Sequence, residues 1–173
     1  MYESGYFPSP MGNIRLTADD VGLTGLWFEG QKYSVPPSGD CREEKDLPIF
    51  EHVKSWLSLY FSGRIPEFFP PIHVCGSPFQ MQVWNLLSQI PYGKIATYGE
   101  IARVIAERRG MASLSAQAVG GAVGHNPVSI LIPCHRVIGK DGSLTGYAGG
   151  VERKQRLLAL EHADFQHPFQ NFQ

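Results

Sequence analysis

The sequence predicts two units of different character. Residues 1–75 read as a small α/β unit, an antiparallel sheet with one helix, and residues 76–173 as a mostly α-helical unit of winged-helix-like helix-turn-helix type. Three observations carry this. Ile14, Leu16 and Ala18 alternate with polar residues and turn at Asp19-Asp20-Val21-Gly22 into an apolar run at 23–29, a hairpin pattern. Ile49, Phe50, Val53, Trp56, Leu57, Tyr60 and Phe61 recur at helical spacing after Pro48 and stop at Gly63. From Ser77 onward, capped helical segments replace strands.

Composition bounds the class. A chain of 173 residues can bury a real core. It has no apolar run long enough to span a bilayer, no basic-then-apolar leader and no lipidation motif, so a soluble, cytoplasmic protein without membrane contact is expected. Cys41, Cys75 and Cys134 form no CxxC and cannot all pair, which suits a reducing compartment. Cys41, His52, His73 and Cys75 match no zinc-finger or ribbon spacing, so no metal is expected. Net charge divides as −4 over residues 1–75 and +3 over 76–173, a mild basic bias compatible with a polyanionic partner.

Within the first unit, the polar, Pro- and Gly-punctuated stretch 31–47 reads as loop, and Phe68-Phe69-Pro70-Pro71 and Gly76-Ser77-Pro78 bracket a final strand. No residue there has a catalytic pattern, and a scaffold is expected. In the second unit, Ser77 and Pro78 open a helix running through Ile90. Pro91-Tyr92-Gly93-Lys94 is a turn, and Thr97-Tyr98-Gly99-Glu100 has the capping-box form, starting a helix to about Ala106. Tyr98 then occupies a helix N-terminus, where free N–H groups favour a phosphate. A connection containing Arg108 and Arg109 leads to a segment at 115–125. That segment is built almost wholly from Ala and Gly, each glycine costing about 1 kcal/mol of helix stability. Close packing between helices and a thin helix laid in a DNA groove both account for it.

The chain is organised around Ile130-Leu131-Ile132-Pro133-Cys134-His135-Arg136-Val137. Residues 130–132 read as a short buried strand ended by Pro133, which brings Cys134 to the edge of the core. Cys134 is either an inert buried thiol or a nucleophile. As a nucleophile it needs a base, and His135 follows it directly. Neighbours in an extended segment face opposite ways, so a relay through water is expected. On the C-terminal helix at 151–162, Glu161 shares the face of Leu157 and Leu158 and can orient the imidazole.

These residues resemble the O6-alkylguanine–DNA alkyltransferase family. The resemblance rests on Pro133-Cys134-His135-Arg136-Val137, Asn126-Pro127 and Gly146-Tyr147-Ala148-Gly149-Gly150. It extends to Pro91-Tyr92-Gly93, Thr97-Tyr98-Gly99 and Ala118-Val119-Gly120-Gly121, and more loosely to Ser9-Pro10-Met11-Gly12 and Gly22-Leu23-Thr24. It implies repair of duplex DNA by direct reversal: a flipped O6-alkylguanine, and with it O4-alkylthymine as a possible substrate, gives its alkyl group to Cys134, once and irreversibly. It further implies that His135 and Glu161 activate the thiol through water, Tyr98 assists departure of the base and Asn126 braces the adjoining turn. The backbones of Cys134, Val137 and Ala148 would read the base beside Tyr147, and Ser115, Gln117, Ala118, Gly121, Ala122 and Arg136 would meet DNA. No cofactor and a monomeric protein are expected.

One position departs from the pattern. Gln117 stands where the family commonly has an arginine that fills the gap left by the flipped base, which predicts weaker DNA affinity and a flatter salt dependence. Three other classes remain open at this point, a binder of alkylated DNA without transfer, a cysteine hydrolase, and a plain helix-turn-helix regulator that would bind DNA without Cys134 and with sequence preference. The presence of Cys134 speaks against the first, and the second requires an oxyanion hole and repeated turnover.

Overall fold

In the computed structural model, which describes residues 2–34, 41–43, 47–144 and 146–173, the alternating stretch at 14–18 lies inside a sheet. Strand β2 (Gly12–Ala18) pairs antiparallel with β1 (Tyr2–Ser9) on one side and β3 (Leu23–Phe28) on the other. A short β4 (Cys41–Glu43) adds to β1 in parallel, so the sheet is not purely antiparallel as expected. β1 was not apparent in the sequence because Gly5 and Pro8 interrupt its pattern. Gly5 has a packing reason: a Cβ there would lie 3.2 Å from the Phe50 ring. Phe50 belongs to α1 (Pro48–Phe61), which packs on β1 and β2 and buries Val53, Trp56, Leu57 and Tyr60 with it. The expected final strand shrinks to a single bridge between Leu23 and Ile72, with the His73 N–H donating to Leu23 O at 2.8 Å. Pro70 and Pro71 carry no N–H with which to extend it.

The second unit, Gly76–Gln173, opens with α2 (Pro78–Leu87) under a Ser77/Gln80 capping box. α2 stops at Leu87 rather than Ile90. Its end tightens into i→i+3 bonds, Gln89 N–H to Leu86 O and Ile90 N–H to Leu87 O, ahead of Pro91. A two-residue strand β5 (Ala96–Thr97) leads directly into α3 (Tyr98–Arg109), whose Thr97/Glu100 capping box is formed in full. Gly110, at φ +64°, ends α3 three residues later than expected, as a left-handed cap. Ser115 caps α4 (Ala116–Gly124), which packs on α2 and α3, and the Trp84 indole N–H donates to Ala122 O at 2.9 Å. A 3₁₀ turn (Cys134–Arg136) runs into β6 (Val137–Ile138), parallel to β5, and α5 (Val151–Leu160) packs against that turn. No helix among the described residues is long and apolar enough to cross a membrane.

Candidate active site

The segment before Cys134 is not the strand expected at 130–132. Ile130 sits at φ +70°, and the Leu131 N–H donates to Ser129 O at 2.8 Å, closing a three-residue turn of the left-handed kind. Pro133 centres a second three-residue turn, of the relaxed inverse kind, with the Cys134 N–H on Ile132 O at 2.8 Å. A β-branched residue in the left-handed region stores roughly 1–3 kcal/mol, and its surroundings must hold it there. Asn126 supplies part of that hold. Its Nδ2 donates to Ile132 O at 2.7 Å, and its Oδ1 accepts from the Val128 N–H at 3.0 Å. Cys134 and His135 therefore share one buried helical turn and do not lie on opposite faces of a strand.

His135 and Glu161 are brought together from positions far apart in the chain. His135 Nε2 lies 2.7 Å from Glu161 Oε1, with both side chains fully buried. Arg136 donates to the same carboxylate twice, from Nε to Oε2 and from Nη2 to Oε1, each at 2.9 Å. Its Nη1 donates to Ile90 O at 2.6 Å. Burial pushes the Glu161 carboxyl up, but the adjoining His135 and Arg136 outweigh it and hold the group below the usual carboxylate range. An ionised Glu161 only accepts, so His135 Nε2 carries the hydrogen and Nδ1 is the basic nitrogen. Burial pushes the imidazole down, more than Glu161 pulls it up, which keeps it neutral. Burial pushes the Cys134 thiol up, against the lowering effects of Asn126 and Lys154. The resting site thus pairs a protonated thiol with a neutral base.

Lys154 is the residue that sequence reasoning missed. It is fully buried on α5, and its Nζ donates to Val137 O at 2.5 Å while lying 5.7 Å from the centre of the Tyr98 ring. Burial pushes the ammonium down to about 8, and the charge of Cys134 opposes that shift. The signal was available. Lys154 precedes Leu157 and Leu158 by three and four residues, so the face that contains Glu161 contains it too.

The expected DNA-facing residues divide. Ser115, Gln117, Ala118 and Gly121 are exposed on α4. Ala122 is instead buried at 5 % exposure, its carbonyl accepting from Trp84 of α2, and Arg136 is committed to Glu161 and Ile90 in the interior. A cavity of about 450 Å³ is lined by Tyr98, Ala116, Gln117, Gly120, Gly121 and Gly146. A side chain at Gly121 would meet open space, and one at Gly120 would only touch Tyr98 at 3.9 Å. These two glycines therefore keep a face open rather than admit a neighbouring helix. Gly146, at φ +89°, brings backbone close to Tyr98, where a Cβ would lie 3.3 Å from the hydroxyl. Cys134, 4 % exposed, is not in that lining. Burial and the charge of Cys134 push the Tyr98 phenol up to about 12. Val137 and Tyr147 are buried and Ala148 is half-buried. The Val137 carbonyl, expected to read a base, already accepts from Lys154.

Two family models match the chain. Residues 1–73 match the 6-O-methylguanine DNA methyltransferase ribonuclease-like domain, and residues 78–163 match the DNA binding domain of the same family. Among curated relatives, a methylated-DNA–protein-cysteine methyltransferase of Haemophilus influenzae is 41 % identical over 157 residues, covering 90 % of this chain and 84 % of the relative. One of Mycolicibacterium paratuberculosis is 44 % identical over 161 residues, covering 93 % of each. Among solved structures, Mycobacterium tuberculosis OGT in complex with DNA superposes with a TM-score of 0.79 at 38 % identity, covering 93 % of this chain and 92 % of that one.

Proposed function

Because this chain belongs to the 6-O-methylguanine DNA methyltransferase family, we propose that its Cys134, His135 and Glu161 perform the family's reaction, with Tyr98, Lys154 and Asn126 as their supports. The protein is a DNA-repair methyltransferase that moves an alkyl group from O6-alkylguanine in DNA to its own cysteine. The observation that carries the residue assignment is the buried contact, 2.7 Å long, between Glu161 at the end of α5 and His135, which shares the 3₁₀ turn of the cysteine.

The chemistry follows from the protonation states. Duplex DNA lies along the exposed face of α4, and the damaged base turns out into the cavity beside Tyr98. The Cys134 proton passes through a bridging water to His135 Nδ1, and the resulting imidazolium is held by Glu161. The thiolate attacks the alkyl carbon in line. The C–S bond forms as the C–O6 bond breaks, and the electron pair stays on the purine, which takes up a proton with help from Tyr98. Lys154 supplies the positive field that favours the thiolate in this dry site. The thioether is not hydrolysed, so each molecule acts once. Conversion of O4-alkylthymine uses the same displacement. Mixing the protein with a methylguanine-containing duplex and digesting it for mass spectrometry tests this. One added methyl is expected on the Cys134 peptide, and no gain there, or a gain on another residue, overturns the assignment.

Gln117 is exposed at the rim of the cavity, on the face read here as meeting DNA. An amide there can hydrogen-bond the base left behind but adds no charge. Gln117→Arg is expected to tighten binding to alkylated duplex and to steepen the salt dependence by roughly one counterion. Binding titrations at two salt concentrations decide this, and an unchanged slope removes Gln117 from the interface.

A further inference from the structure

The Pro91-Tyr92-Gly93-Lys94 turn stood out in the sequence but takes no part in the reaction described above. Its place in the fold is specific. The turn closes through the Lys94 N–H on Pro91 O at 3.0 Å, with Gly93 at φ +77°. The Arg136 guanidinium carbon lies 5.8 Å from the centre of the Tyr92 ring. The Tyr92 hydroxyl donates to Leu160 O at 3.3 Å, one residue before the carboxylate. The Gly93 N–H donates to Glu161 Oε2 at 3.4 Å, and a Cβ on Gly93 would stand 3.2 Å from Glu161 O. Ile90, next to the turn, accepts from Arg136 Nη1 at 2.6 Å. From outside, the Asp164 N–H donates to Gly93 O at 2.9 Å and the Lys94 ammonium pairs with the Asp164 carboxylate at 3.2 Å.

We propose that this turn is a positioning element for the alkyl transfer and that Tyr92 is its principal positioning residue. The Tyr92 ring lies against the Arg136 guanidinium, its centre 5.8 Å from the guanidinium carbon, and takes up the room into which the guanidinium would swing away from Glu161. The hydroxyl and the Gly93 N–H fix the end of α5, so the remaining oxygen of Glu161 faces His135. A bidentate guanidinium–carboxylate pair depends on its geometry, and an aromatic ring attracted to the cation restricts how far the guanidinium can tilt. The turn never touches the substrate. Its influence reaches Cys134 only through Arg136, Glu161 and His135.

The proposal rests on the transfer reaction described above, and its test separates the two. Single-turnover transfer from a methylguanine duplex and Cys134 modification by iodoacetamide are measured across pH for the full chain carrying Tyr92→Ala, Tyr92→Leu or Tyr92→Phe. Tyr92→Ala and Tyr92→Leu are expected to slow transfer about tenfold at saturating DNA, with duplex affinity unchanged. His135 faces Glu161, Arg136 and Lys154, and of these only Glu161 raises its proton affinity. A loosened Glu161 therefore moves the acid limb of both profiles to lower pH. Tyr92→Phe keeps the ring and is expected to retain most of the rate. Wild-type transfer rates and unmoved limbs in Tyr92→Ala and Tyr92→Leu overturn the proposal, as does a loss in Tyr92→Phe equal to that in Tyr92→Ala. If the wild-type protein transfers no methyl, the repair assignment fails alone. A shifted iodoacetamide profile still supports the role of Tyr92, and an unshifted one overturns it.

Discussion

Glu161→Gln is expected to slow alkyl transfer by a factor on the order of 10² to 10⁴, because His135 loses the anion that stabilises its protonated form. The amide keeps the shape of the side chain while removing its charge. Arg136 then remains buried against a neutral group, its guanidinium still held on Ile90 O at 2.6 Å. Breaking a buried ion pair from one side costs about 3–5 kcal/mol, so urea unfolding should record a loss of that size at neutral pH. The sign with pH follows from the direction of the shift. Glu161 is held below its ordinary value of 4.5 in the folded chain, so its contribution is present above that value and is lost as pH falls below it. His135, kept neutral below its ordinary 6.5, erodes stability over the same descent as the unfolded chain takes up its proton. The gap between wild type and variant should therefore narrow on acidification. A variant that unfolds like wild type at pH 7 and still transfers methyl at the wild-type rate would leave the network without a role.

Lys154→Met is expected to change the two observables in opposite directions. The ammonium is fully buried, and the groups around it are the Val137 carbonyl, the Tyr98 ring and the charge that Cys134 acquires on reaction. Removing it withdraws the positive field from the thiolate, for a loss of transfer on the order of tenfold to a hundredfold. The folded protein, relieved of a buried ammonium pushed down to about 8, should be at least as stable as wild type. Single-turnover transfer and urea unfolding measured on the same preparation give both numbers. A variant that transfers normally, or one as unstable as Glu161→Gln, contradicts this account of Lys154.

What could be read from the sequence depended on whether a feature was periodic or bent. The spacing of α1 and the Thr97/Glu100 cap are local patterns, and both appear in the structure where the residues indicated. Placing Glu161 on the face of Leu157 and Leu158 was enough to pair it with His135 across the fold. The same reasoning applied to Lys154 would have found it, but a lysine on an amphipathic helix is ordinarily taken as solvated. β1 was hidden because its interruptions, Gly5 above all, answer to Phe50 in another element. Arg136 looked like a cation for DNA because nothing in its own neighbourhood announces the interior carboxylate that claims it. The apolar run at 130–132 suggested extended backbone. Two three-residue turns replaced it, and no propensity predicts isoleucine at φ +70°.

That unfavourable bend at Ile130 also bears on how the protein ages and fails. A backbone held away from its preferred angles by Asn126 and the packing around it gives up its stored energy once those buried neighbours loosen. On gentle warming, then, the sulfur should lose its aim while the helices on either side remain intact. The molecule would become chemically silent before it melts, and a preparation judged sound by its helical signal alone could already be unable to mend DNA.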